Sequence, residues 1–350
     1  MLVCSVAVNA WFTTPEWARH AVWDTVKPID LIFPVFVTLS GCGLGFAYGR
    51  RVPVKPTVRR FVVLLLAGFL YNAYIQWTIT GALSWDSFRL TGVLQLYAFV
   101  VLVIASLHLL AKEWWVWLGI TLILGAAYAL GLHLYASAGP GGLLTPECNP
   151  SGLVDPLVFG ADHIYAAGVL GHDPEGLVAS FGALVSAAAG ATMGHAMSPR
   201  SGRSMLRTTL ILLGVVACFV ALAQVTADFV PPMKRLWTPP FALGTAAGVG
   251  LVLTALHLTL DRTASPRVMA AATYPLVALG RNSLLVYFGS HAAMLTLTHT
   301  YAPSGETWAV LLARGVTASE DRMWPFVVAA VLAWTVLASI LHWRRIYLRP

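Results

Sequence analysis

Charge is scarce in this 350-residue chain: Asp, Glu, Lys and Arg together make up 11% of it. A soluble domain carries about 25%, so the scarcity excludes an ordinary water-soluble enzyme. Cysteine is scarce as well. Cys4, Cys42, Cys148 and Cys218 form no CxxC pair and no metal-ligand spacing, so neither a disulfide scaffold nor a zinc fold is expected. The chain has no Walker loop, no zincin helix motif and no nucleophile elbow. Nothing suggests a metal. The start lacks a basic n-region and a small-residue cleavage site, which argues against a signal peptide.

What the chain has instead is apolar length. Hydrophobic residues make up 58% of it, and the mean hydropathy is +0.74. Runs of about 20 residues, the length that crosses a bilayer, fall near 28–49, 61–80, 92–110, 114–135, 176–195, 208–227, 237–260, 282–300 and 324–343. Residues 1–12 read as the tail of another, too short to span, so a misassigned start or a truncated first helix is expected. The fold class is therefore all-α: a polytopic integral membrane helix bundle of about ten spans, forming one domain over 1–350.

The net charge of +7 reports topology rather than nucleic-acid binding. With the 50–60 loop cytoplasmic, alternation places about two-thirds of the Lys and Arg residues inside. These include Arg50, Arg51, Lys55, Arg59, Arg60, Lys112, Arg200, Arg203, Arg262, Arg281 and Arg349. Arg19, Lys27, Arg89, Lys234, Arg235, Arg314 and Arg322 fall outside. The C-terminus is then cytoplasmic and the loop around residue 20 extracytoplasmic.

The longest non-helical stretch, about 136–175, opens on Gly139-Pro140-Gly141-Gly142 and also falls outside. It holds Asp155, Asp162, His163, His172, Asp173 and Glu175. A loop so long is functional or disordered, and its aromatic, acidic and imidazole groups argue for a folded external cap. A second break, Pro231-Pro232 to Pro239-Pro240, encloses Lys234-Arg235-Leu236-Trp237-Thr238 and marks a chain reversal at the outer surface. Glycines within the spans, such as Gly41, Gly43 and Gly45, fit close helix packing.

Against this apolar background, Arg19-His20-Ala21-Val22-Trp23-Asp24 and Asp30-Leu31-Ile32-Phe33-Pro34-Val35-Phe36 stand out. They place an imidazole, two carboxylates and an indole at the mouth of a span. An ionisable group at the centre of a membrane helix costs roughly 2.5 kcal/mol or more. His20 can take a proton near neutral pH or accept an acyl group, with Asp24 or Asp30 holding its tautomer. The competing reading is a solvated interfacial loop with Trp23 as anchor. Asn9 can hydrogen-bond a reacting carbonyl, or simply an adjacent helix, as can Asn72 and Gln95. Arg50, Arg51, Arg59 and Arg60 can steer a polyanionic cytosolic ligand, or act only as positive-inside anchors. Arg281-Asn282 opens a span where a helix N-terminus and an arginine suit a phosphate, or where the arginine merely snorkels.

Taken in order, these segments resemble the heparan-α-glucosaminide N-acetyltransferase family of transmembrane acetyltransferases. The resemblance runs through His20–Asp24 and Asp30–Phe36, then Arg89-Leu90-Thr91-Gly92-Val93-Leu94-Gln95 and Phe159-Gly160-Ala161-Asp162-His163-Ile164-Tyr165. It continues through Asp173-Pro174-Glu175-Gly176-Leu177, Lys234–Thr238 and Gly280-Arg281-Asn282-Ser283-Leu284. The basic-acidic-basic stretch that precedes the first span in family members is absent. Asp24 stands where some members carry Asn.

The resemblance implies transfer of acetyl from cytosolic acetyl-CoA to an amine or hydroxyl of an extracytoplasmic sugar or glycan. It implies His20 as base or acyl carrier, Asp24 or Asp30 in support, and Asn9 at the oxyanion. Asp162, His163, Asp173, Glu175 and Trp23 would then shape the acceptor cleft. Arg50, Arg51, Arg59, Arg60, Arg281 and Asn282 would receive the CoA phosphates. Membrane lipid, a glycan acceptor and a homodimer partner through a small-residue face are the expected partners. The alternative class is a transporter or flippase of a small polar or lipid-linked molecule. Such proteins often show paired, broken helices in related halves, and no such repeat is visible.

Overall fold

The computed structural model describes residues 1–13, 15–261, 266–317 and 323–348. Arg262, Arg322 and Arg349 of the topology argument lie outside the described residues. Thirteen α-helices and no β-strand occur among the described residues. Eight helices are long and apolar enough to cross a membrane, which makes this an all-α polytopic bundle. The chain divides into two compact units, residues 20–73 with 84–262, and residues 1–19 with 74–83 and 263–350.

The larger unit is built on α2 (Ile32–Tyr48), α3 (Val54–Thr80, to residue 73), α4 (Val93–Leu110), α5 (Trp114–Ala138), α6 (Pro150–Phe159), α7 (Leu177–Met197), α8 (Met205–Ala227) and α9 (Pro239–Leu260). Its centre is α7, rich in Ala and Gly and buried along almost its whole length. Lipid offers no hydrophobic drive between helices, so van der Waals fit between small faces must hold them together. Here the fit is tight. A Cβ on Gly190 would lie 1.8 Å from the Thr38 carbonyl oxygen of α2, and one on Gly41 2.0 Å from that of Ala187. Trp117, Phe219, Leu212 and Leu243 are fully buried around this spine.

One end of this unit carries basic groups that close helix C-termini. Lys112 Nζ donates to the Tyr48 carbonyl at 2.9 Å, and Arg203 Nη1 to that of Ala196 at 3.2 Å. These cations lie where helix dipoles favour them. Arg50, Arg51 and Arg59 are exposed near the α2–α3 turn.

The opposite end carries the segment between α5 and α7, called the cap here, which is not the non-helical stretch expected from the sequence but contains α6. Asn149 caps α6 by accepting from Gly152 N at 2.9 Å, while its Nδ2 donates to the carbonyls of Thr145, Pro146 and Gly171. Pro150 follows at the first helical position, where a missing N–H costs nothing. Gly171 has φ +68°, and a Cβ there would lie 2.1 Å from the Pro146 carbonyl oxygen.

The smaller unit contains α1 (Leu2–Ala10), α10 (Pro266–Arg281), α11 (Ser283–His299), α12 (Trp308–Val316) and α13 (Trp324–Trp343). Leu2, Val6, Ala278, Leu279, Val286 and Ala338 form its core. Thr307 caps α12 by accepting from Val310 N. Neither α10 nor α12 is legible as a span in the sequence, because both are too short or too polar.

Candidate active site

Asp30 is the fixed point of the site. It is 1% exposed at the mouth of α2 and accepts from Lys27 N at 2.9 Å and Ala21 N at 3.3 Å. Its other oxygen, Oδ1, lies 2.6 Å from His20 Nδ1. A carboxylate only accepts, so Nδ1 carries a proton, and in the neutral ring Nε2 is the nitrogen with the free lone pair. The His20 side chain is 47% exposed, which leaves that lone pair open to a reactant. Asp24 is exposed, and the imidazole is held by Asp30.

The segment bearing His20 has no regular structure and is tied down from outside. Arg235 Nε donates to the carbonyls of Ala21 and Val22, both at 3.1 Å. Trp23 is 9% exposed, donates Nε1 to the Leu144 carbonyl at 3.0 Å, and meets the His172 ring edge-on at 5.0 Å. His172 donates Nδ1 to the Leu170 carbonyl, leaving Nε2 buried and without a partner. Burial lowers the proton affinity of His172.

Lys234 completes the cluster. Its Nζ is 3.0 Å from His20 Nδ1, 3.5 Å from Nε2 and 3.7 Å from Asp30 Oδ1, and its side chain is 14% exposed. Burial pushes the ammonium down from the usual lysine range, against the opposing pull of Glu175 and Asp30. The turn that presents it is closed by Trp237 N on the Lys234 carbonyl and Thr238 N on that of Met233. Trp237 has φ +47°, a strained value for a non-glycine, and its indole is buried against Phe33 and bonded to Ser186 Oγ at 3.0 Å. Backbone strain of this kind persists where surrounding packing over-determines it, often at functional sites. Sequence reasoning placed Lys234 in a motif but gave it no role.

A second knot joins the cap to the α3–α4 connection. Arg89 Nη2 bridges Asp173 Oδ1 at 3.0 Å and Glu175 Oε2 at 2.7 Å. Burial alone would lower the arginine's proton affinity, but the two carboxylates carry it upward. Asp173 is fully buried and also accepts from Thr91 Oγ1, Tyr165 N and Glu175 N. Its lone pairs are thus committed to the protein. Glu175 is 13% exposed and faces Lys234 electrostatically. Asp162 is exposed, whereas His163 is tied through Nδ1 to the Phe88 carbonyl at 2.8 Å.

Asp155, fully buried on α6, accepts from Leu177 N and so caps α7; Ser151 Oγ donates to its other oxygen. Burial pushes this carboxyl up to about 6.

The remaining candidates fall in both units. In the larger unit, Arg60 turns inward, donating Nη2 to Tyr97 Oη at 2.8 Å. Arg60 Nε and Gln95 Nε2 are buried donors without a partner. In the smaller unit, Asn9 donates to Ser290 Oγ at 2.9 Å. Arg281 donates to Tyr347 Oη at 3.2 Å, and Asn282, fully buried, donates to the Ala278 carbonyl at 3.2 Å.

Comparison with known proteins agrees with the order of these motifs. The family model for the heparan-alpha-glucosaminide N-acetyltransferase catalytic region matches residues 6–140. The human protein named heparan-alpha-glucosaminide N-acetyltransferase is 26% identical over 99% of this chain, and the mouse protein of that name is 23% identical over the same share. The chain spans 58% of the length of either relative. The motifs, the matched region and the near-complete alignment coincide, and over this length the chain is similar to the heparan-alpha-glucosaminide N-acetyltransferases.

Proposed function

We propose that this protein transfers an acetyl group from cytosolic acetyl-CoA to an amine or hydroxyl of a sugar or glycan on the opposite side of the membrane. The observation that carries the reading is the His20–Asp30 contact of 2.6 Å, with Asp30 buried and His20 half-exposed. Such a pair supplies what acyl transfer requires, a base or nucleophile held in one tautomer.

The charge layout supports the same direction of transfer. Arg50, Arg51, Arg59, Lys112 and Arg203 gather at one end of the larger unit, and His20, Asp30 and Glu175 lie at the other. The basic end suits CoA phosphates and, by the positive-inside rule, the cytoplasm. Arg60 Nε and Gln95 Nε2, buried donors lacking acceptors, fit the oxygens of an amide-bearing arm.

At the other end, His20 Nε2 removes a proton from the acceptor nucleophile or takes the acetyl group itself. Asp30 stabilises the positive charge that develops on the ring. Glu175, Asp162 and His163 line the acceptor side, with Trp23 and Asp173 acting from behind to fix the loops that carry them.

The test is transfer from labelled acetyl-CoA to a panel of amino sugars by reconstituted protein, wild type against His20→Ala. Acetylated sugar with wild type and none with the variant is expected. Equal transfer by both would remove His20 from the reaction. Solute flux without CoA release would instead favour a transporter.

A further inference from the structure

Lys234 has two distances to His20 that, taken together, fix its position. Along the bonding direction of Nδ1, an atom 3.0 Å away would lie well beyond 3.5 Å from Nε2. Between the two nitrogens in the ring plane it would collide with Cε1. The ammonium therefore lies over the face of the imidazole. It does not compete with Asp30 for the Nδ1 proton, and it stands beside the reacting nitrogen. Any group joined to the carbon that Nε2 serves can project from the ring plane toward this ammonium.

We propose that Lys234 is the proton donor of acyl transfer, supplying the proton of the departing sulfur. The inference rests on the acetyl-transfer reading above. As the acceptor nitrogen bonds to the carbonyl carbon, His20 Nε2 takes its N–H proton. Lys234 Nζ delivers a proton to the sulfur, onto which the electron pair of the breaking C–S bond passes. The proton now on His20 leaves through the exposed side of the ring to water, and the neutral Lys234 amine takes a proton back from water. Thioester and amine have become thiol and amide, and both side chains are restored.

The surroundings suit this task. An ordinary ammonium is a weaker acid than an alkyl thiol, whose proton affinity centres near about 8.5. Burial moves Lys234 toward that match, which is where proton transfer is most effective. The charged groups facing it are Asp30 at the mouth of α2, Glu175 before α7, Arg235 beside it and His20 beneath it. Asp30 and Glu175 keep the charged form accessible, so the amine can be recharged.

The experiment compares two donors, acetyl-CoA and S-phenyl thioacetate, whose aryl thiolate departs without needing a proton. Lys234→Met should lower the rate with acetyl-CoA on the order of 10²–10⁴-fold and leave the aryl donor largely unaffected. Lys234→Arg, which keeps the charge but cannot release its proton, should not restore acetyl-CoA turnover. Equal losses with both donors, or rescue by arginine, would overturn the proposal while leaving the acetyl-transfer reading intact. No CoA release by wild type with any acceptor would remove that reading and this one with it. A measurement on wild type alone needs no folded variant. Amine-selective labelling of Lys234, followed by mass spectrometry across pH, should reach half-rate at a lower pH than a free lysine side chain. Half-rate at or above the free-lysine pH would also overturn it.

Discussion

Arg89 and Asp173 are joined across 84 residues of sequence by a 3.0 Å ion pair whose carboxylate is wholly shielded from solvent. The same Nη2 reaches Glu175, and Nε donates to Thr91 Oγ1 at 3.1 Å, so the guanidinium works as a fork. Arg89→Met leaves Asp173 buried without its cation, at a cost of about 3–5 kcal/mol. Arg89→Lys keeps the charge and loses the fork, so it should recover only part of this. Thermal unfolding in detergent, with both variants beside wild type, checks the order.

Asp30→Asn keeps the shape of the site but gives His20 a partner that no longer demands a protonated Nδ1. We expect acetyl transfer to fall on the order of 10²–10⁴-fold with stability little changed. Comparable transfer by Asp30→Asn and wild type would show that the tautomer is set elsewhere. Asp24→Asn, on an exposed residue, should change the rate by far less.

Asp155 makes stability depend on pH. Its folded-state proton affinity is raised, up to about 6, so its contribution to stability is complete below the ordinary carboxylate range and is lost as pH rises through about 6. Asp155→Asn retains an acceptor for Leu177 N and removes the titration. The gap between variant and wild-type melting temperatures should therefore shift in favour of the variant as pH rises from 5 to 7. A constant gap would refute the assignment.

Two glycines on α2 should respond oppositely to the same change. A Cβ on Gly41 meets backbone of α7 at 2.0 Å, whereas one on Gly43 meets nothing within 4 Å. Gly41→Ala forces the helices apart, at about 1–3 kcal/mol or more. Gly43→Ala gains helix propensity worth about 1 kcal/mol. Paired unfolding measurements decide whether the α2–α7 contact is as close as drawn.

Arg60→Met removes a cation that faces Tyr97 inside the bundle. If Arg60 serves the donor, KM for acetyl-CoA rises about tenfold, worth about 1.4 kcal/mol, with kcat unchanged. An unchanged KM would reassign Arg60 to packing.

Periodicity and hydropathy made the spans legible. The long runs became α2 to α5, α7 to α9, α11 and α13, with only α3 starting well ahead of its run, at Val54, because length and apolarity are local properties. Short elements were not legible: α6 and α12 have 10 and 9 residues and no run to announce them. Of the site, His20 with a nearby carboxylate could be read, but not which carboxylate. Asp24 sits one helical turn away by count, yet the segment is not helical, and Asp30 holds the ring.

Sequence by itself determined that this chain is a membrane helix bundle, and it carries the motifs by which the chain resembles the acetyltransferases. Both conclusions rest on patterns contiguous along the chain. The tertiary structure alone decided which distant groups meet. Lys234 lies 214 residues from His20, and nothing in either segment's composition encodes their 3.0 Å approach. That approach depends on the Trp237 turn, on Arg235 gripping the Ala21 and Val22 carbonyls, and on the glycine-lined seam that seats α2 against α7. Burial, which moves the proton affinities of Lys234 and Asp155, is likewise a property of the assembled bundle rather than of any one segment.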